Sequence, residues 1–159
     1  MTCPPLTRRH LLRGTAALLV LPALPALAET APPPIHVLKD PACGCCSAWI
    51  AVLDADGFSV TVEDRAAEQL ARDKRDRGIP EAMVSCHTAQ IDGYVIEGHV
   101  PPADIRRLLA GRPAALGLAV PGMPFGSPGM GPETEREAYD VFLIHRDGTT
   151  AVFASYPAA

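Results

Sequence analysis

Three cysteines crowd into four residues, Cys43-Gly44-Cys45-Cys46, where a β-prone run gives way to an apolar helical pattern. The run is Ile35-His36-Val37-Leu38, closed by Asp40-Pro41, and Trp49, Ile50, Val52 and Leu53 continue the helix to Gly57. A helix start of this kind offers free backbone N–H groups and the positive end of the dipole, which favour thiolate over thiol. Gly44 is expected to let the chain turn tightly so that neighbouring sulfurs converge. Cys86 adds a fourth sulfur from further along the chain. Four cysteines allow three complete pairings, one of which needs a strained vicinal Cys45–Cys46 bridge, and spacing alone leaves them open. Three thiols on one turn are a poor staple for distant segments, so the cluster points to metal or redox chemistry.

The downstream pattern predicts a half-buried strand over 58–62, in which Phe58, Val60 and Val62 alternate with Ser59 and Thr61. A helix over 66–77 follows, its Glu68/Arg72 and Asp73/Arg77 pairs forming a solvated face, and Gly78 ends it. Ala82–Cys86 and Gly93–Glu97 read as a hairpin turning at Asp92-Gly93, with Met83 in its core face. Pro101 or Pro102 opens a helix through Leu109. A last hairpin, 140–145 with 149–155, turns at Asp147-Gly148. The order β-α-β-α-β-β-α resembles the thioredoxin-like arrangement. The expected fold class is therefore α/β: a thioredoxin-like mixed sheet flanked by helices, with an added C-terminal hairpin.

From Gly117 to Pro132, nine of sixteen residues are Gly or Pro, which predicts a long irregular loop with a role of its own. Met123 and Met130 are among its few large side chains.

Residues 1–28 read as an export signal. Arg8, Arg9 and Arg13 precede an apolar stretch to Leu27, and Ala26-Leu27-Ala28 supplies a small-x-small cleavage site. Thr7-Arg8-Arg9 with its followers resembles a twin-arginine motif. Pro22 and Pro25 break the stretch below the roughly 20 apolar residues a spanning helix needs, so no membrane attachment is expected after cleavage. Cys3 leaves with the signal. A Pro-rich leader over 29–34 then precedes one domain, 35–159. Removing three arginines and no acids takes the formal charge from -4 to -7, and no basic run remains to hold nucleic acid. The expected location is the periplasm.

Soft thiolate and thioether donors select Cu(I) over hard cations, and thiolate sulfur can bridge two ions. Segments around the cysteines carry a specific resemblance. Cys43-Gly44-Cys45-Cys46-Ser47-Ala48-Trp49, Ser85-Cys86-His87-Thr88, Glu97-Gly98-His99-Val100-Pro101, Pro121-Gly122-Met123-Pro124 and Gly126-Ser127-Pro128-Gly129-Met130 are similar to the CopG-type family of periplasmic copper proteins. The similarity spans nearly all of 35–153. It implies a thioredoxin-like fold, a copper site built on the cysteine motif, and a role in copper resistance that extends to copper redox cycling.

The candidate metal ligands are Cys43, Cys45, Cys46, Cys86, His87, His99, Met123 and Met130. His87 and Cys86 are neighbours, so both reach one ion only if the strand bends there. His99 ends a strand beside Gly98 and Pro101, where turning is easy. His36 and His145 sit at alternating strand positions and are expected to be structural. Trp49, three residues after Cys46, either screens the site or packs in the core.

The leading expectation is a periplasmic copper-binding protein with a thiolate-rich, mono- or multinuclear Cu(I) site, exchanging copper with other copper-handling proteins. Its enzymatic extension is a copper oxidoreductase. The alternative is a thiol–disulfide oxidoreductase using Cys43 and Cys46, the spacing of a redox dithiol. A structural zinc module is a third reading, although such modules usually carry two separated Cys-x-x-Cys pairs.

Overall fold

The computed structural model describes Thr2 and residues 32–159. Apart from Thr2, the expected signal over 1–28 lies outside the described residues, as does the first half of the leader. The described chain runs β1 (Ile35–Lys39), α1 (Gly44–Ala55), β2 (Val60–Asp64), α2 (Ala67–Asp76), β3 (Thr88–Ile91), β4 (Tyr94–Glu97), α3 (Pro102–Gly111), β5 (Ala115–Ala119), β6 (Tyr139–His145) and β7 (Thr150–Tyr156). Seven strands make one mixed sheet in the order β2-β1-β3-β4-β5-β6-β7. β1 is parallel to β2 and antiparallel to β3, and β4 is antiparallel to β3. This is the thioredoxin-like α/β arrangement that the element order predicts.

Three sequence expectations change. The first hairpin strand is Thr88–Ile91, not 82–86, and it pairs Ile91 with Tyr94 across the expected Asp92-Gly93 turn. Residues 81–83 instead form a short 3₁₀ turn after Pro80, which leaves Met83 half-buried and Val84 exposed rather than in a core strand. Pro80 has no N–H for a sheet ladder, so the segment starts as a turn. Gly117 lies in a strand that the Gly/Pro count hid. β5 runs parallel to β4 and joins the final hairpin to the same sheet. Lastly, Val62 is 46% exposed because β2 is an edge strand, so 58–62 does not alternate cleanly.

The core runs between the sheet and its helices. Ile35, Val37, Ile91, Ile96 and Leu118 from the strands meet Trp49, Leu53, Ile105 and Leu108 from α1 and α3. On α1 the buried positions are Cys46, Trp49 and Leu53, a single stripe at helical spacing. That stripe orients the helix, and so aims its first turn at the segment before β3.

The face of α2 departs from the sequence expectation at two residues, Arg72 and Lys74. Asp73 and Arg77 do approach, at 3.6 Å, whereas Arg72 bonds Gln69 in place of Glu68. Lys74 turns inward and is only 4% exposed.

Candidate metal centre

Cys43 caps α1, its sulfur accepting the Cys46 N–H at 3.3 Å. Cys43 and Cys46 are joined as a disulfide, with Cα atoms 5.4 Å apart. This resolves the pairing that spacing left open, and Cys45 and Cys86 are free thiols. Gly44 makes no tight turn. Its φ is not positive and a Cβ there would meet nothing within 4 Å, so helix geometry alone brings the sulfurs together.

Cys86 arrives from a different part of the fold. Ser85 forms an isolated bridge with Gly122, and the chain bends at Cys86 before β3 begins at Thr88. The bend removes the strand alternation that would point Cys86 and His87 apart. The Cys86 sulfur consequently lies 3.9 Å from Cys45 Sγ, 3.3 Å from His87 Nδ1 and 3.2 Å from His99 Nε2. Cys45 Sγ in turn lies 3.5 Å from Cys43 Sγ.

Two donor groups with cation-sized spacing result. One is Cys43, Cys45, Cys46 and Cys86, of which Cys43 and Cys46 can donate only once their disulfide is reduced, and the other is Cys86, His87 and His99, the donor atoms of each lying within 4.8 Å of one another. Cys86 belongs to both.

Both imidazoles are fully buried. His99 Nδ1 donates to the Pro128 carbonyl at 2.8 Å, which leaves the Nε2 lone pair facing Cys86. That carbonyl belongs to the Gly/Pro-rich loop, which is seated against α1 closely enough that a Cβ on Gly129 would lie 2.5 Å from the Trp49 backbone nitrogen. The long loop therefore fixes the tautomer of a donor. His87 is held otherwise. Its ring packs against Trp49 at 4.3 Å between centroids and tilted by 41°, and its Nε2 is buried without a hydrogen-bond partner among the described residues. Trp49 is fully buried and donates to the Val100 carbonyl at 2.9 Å, so it is both core and wall of the site.

Burial pushes the Cys86 thiol up to about 11, and the neighbouring Cys45 adds to the rise. Burial also drives His87 well below its ordinary value, helped by His99 and Lys74, and lowers His99. At neutral pH both rings are therefore neutral, the form that coordinates a metal, while Cys86 holds a proton that a cation would displace.

The soft sulfur and imidazole donors suit a soft or borderline ion. Met123 is 54% exposed and Met130 is half-buried on the loop that carries Pro128. His36 lies elsewhere on the sheet, bonded to Thr61 at 3.0 Å and Glu63 at 3.2 Å, and His145 ends β6. A cavity of about 600 Å³ opens between α2 and residues 79–86, with Leu70, Ile79 and Val84 on its walls and Cys86 on its lining.

Sequence reasoning missed two residues beside this site, Lys74 and Glu97. Lys74 Nζ contacts Glu97 Oε1, and Glu97 is fully buried. The signal was slight: a lone lysine among many charges on α2, and a glutamate at the end of an otherwise apolar strand.

The sheet and the paired side-chain groups define a protein of thioredoxin-like fold with a thiol- and imidazole-rich cluster spaced to hold a metal ion. Residues 83–130 match a family model described as "Protein of unknown function, DUF411". None of the curated proteins matches this chain. Two solved structures do, described as "Copper resistance protein copG", Form 1 and Form 2. They are 46% and 47% identical, with TM-scores of 0.74 and 0.73, covering 80% and 79% of this chain and 99% of each of theirs. The chain belongs to the copper resistance protein CopG family.

Proposed function

We propose that this chain is a periplasmic copper-binding protein of copper resistance, holding Cu(I) at its thiolate and imidazole donors. The carrying observation is the convergence on Cys86, with Cys45 Sγ at 3.9 Å and His99 Nε2 at 3.2 Å from segments far apart in sequence. Kinship with proteins described as copper resistance proteins supports the choice of metal. Because Cys86 serves both donor groups, the site suits more than one ion, with sulfur as a bridge. Met123 and Met130 are the proposed thioether donors for copper entering or leaving toward other copper-handling proteins. The arginine-led apolar segment over 1–28 supports export.

The Cys43–Cys46 couple extends the reading to copper redox cycling. Oxidising the dithiol to the disulfide releases two electrons and two protons, enough to convert two Cu(II) to two Cu(I), and two equivalents of an external thiol would restore the dithiol while forming their own disulfide. The test is anaerobic Cu(I) titration of the reduced chain against a competing chelator. Binding of at least one Cu(I), weakened at least about tenfold in Cys45→Ser, is the expected result. Zero stoichiometry, or an unchanged affinity in that variant, overturns the proposal.

One observation favours a second reading, thiol–disulfide exchange: the disulfide sits at a helix N-terminus. That reading requires insulin reduction that survives both Cys45→Ser and Cys86→Ser.

A further inference from the structure

A buried ion pair stands immediately behind the copper ligands. Glu97 is fully buried at the end of β4, and Lys74 reaches it from α2. Burial pushes Lys74 down and Glu97 up, while each charge pulls the other back. Such a pair is a weak source of stability, because apolar residues of similar volume often serve a fold as well or better. Its geometry suggests another use.

Glu97 Oε1 also accepts the backbone N–H of Ser85 at 2.7 Å. Ser85 immediately precedes Cys86, at the bend that turns the thiol toward Cys45 and His99. The surrounding backbone is pinned at the same corner. The Gly98 N–H donates to the His87 carbonyl at 3.1 Å, and the Val120 N–H donates to the Glu97 carbonyl at 3.0 Å. Gly98, at φ +71°, approaches so closely that a Cβ would lie 2.4 Å from Ser85 Oγ. One residue further along is His99. A single buried carboxylate at the end of β4 thus grips the residue before one donor, while the other donor follows two residues after it in the chain.

We propose that Glu97 is a positioning residue for the metal centre, holding the Ser85 amide so that Cys86 and His99 meet, with Lys74 as the counter-charge that keeps its carboxylate in place. The proposal rests on the copper reading above. It names no new ligand. It assigns the geometry of the ligands to this buried pair.

Two double variants separate positioning from folding. Lys74→Met with Glu97→Leu removes both charges and the acceptor. Lys74→Met with Glu97→Gln removes both charges and keeps an amide oxygen for the Ser85 N–H. Both are expected to melt cooperatively within a few degrees of the parent chain. Titrated anaerobically with Cu(I) against a chelator, the Leu variant should bind at least about tenfold more weakly and show an altered sulfur-to-copper absorption band, as expected when outer-shell support is lost. The Gln variant should stay within about threefold of the parent with the parent band, the rescue that a mere packing role would not give. A Leu variant that binds as the parent does, or a Gln variant that falls as far as Leu, overturns the proposal alone. A parent chain that binds no Cu(I) overturns the copper reading and this proposal together.

Discussion

At the residue scale, the unusual feature is two buried neutral imidazoles beside a half-buried thiol. His87 and His99 titrate below the usual histidine value because burial disfavours their charged forms. In the unfolded chain they titrate near 6.5. Between those values the unfolded state binds more protons, so stability rises with pH there. The contribution is complete above about pH 6.5 and is lost as pH falls from there toward the folded values. For the metal-free chain, urea midpoints measured from pH 7.5 down to 5 should fall. In His87→Phe, which keeps a ring on Trp49, they should fall less. Parallel pH profiles for the two chains would show that His87 is not buried as described.

The cysteines were legible in sequence because three thiols on one turn have few structural uses. Whether His87 joins them was not, since that depends on a bend at Cys86 next to the long-range Ser85–Gly122 bridge. Glu97 and Lys74 were hidden for a related reason. A charge reveals its burial only when the element facing it is known.

At the element scale, β1, α1, α2, β4, α3 and the final hairpin were readable from periodicity and turn residues, within a residue or two at most ends. β5 was not. Its sequence Ala115-Leu116-Gly117-Leu118-Ala119 is short and opens into a Gly/Pro-rich stretch, so composition masked the strand. Gly117 is where the two glycine roles separate. A Cβ there would lie 1.8 Å from the Val95 carbonyl oxygen, because β4 and β5 pass closely at that point. Gly44 has open space and an ordinary helical backbone. Gly117→Ala is therefore expected to destabilise the fold by about 3 kcal/mol or more, through overpacking against rigid backbone. Gly44→Ala should leave stability unchanged or raise it by up to about 1 kcal/mol, the helix preference of alanine over glycine. Chemical denaturation of the two variants checks both. Strong destabilisation by Gly44→Ala would restore the tight-turn role that the sequence suggested.

At the scale of the whole molecule, the question is whether a metal holds the fold or the fold holds a metal. The core centred on Trp49, Leu53, Ile96, Ile105, Leu108 and Leu118 is continuous between sheet and helices and does not depend on the sulfur cluster. The donors themselves are set by backbone devices: the bend at Cys86, the Glu97 grip on Ser85, and the Pro128 carbonyl behind His99. A structural zinc module would lack this independence, since its folding free energy is largely metal binding. Removing metal from the loaded chain with a strong chelator under reducing conditions should therefore lower the melting temperature without unfolding the protein at 25 °C. The expected loss is the linkage term, about 2.7 kcal/mol if free metal had stood at about 100 times its dissociation constant. Far-ultraviolet circular dichroism should keep the mixed α/β signature, and near-ultraviolet signals from Trp49 should shift because its ring lies against His87. Collapse of the far-ultraviolet signal on chelation would mean that the ion is a structural support, and the cargo reading of the site would fail.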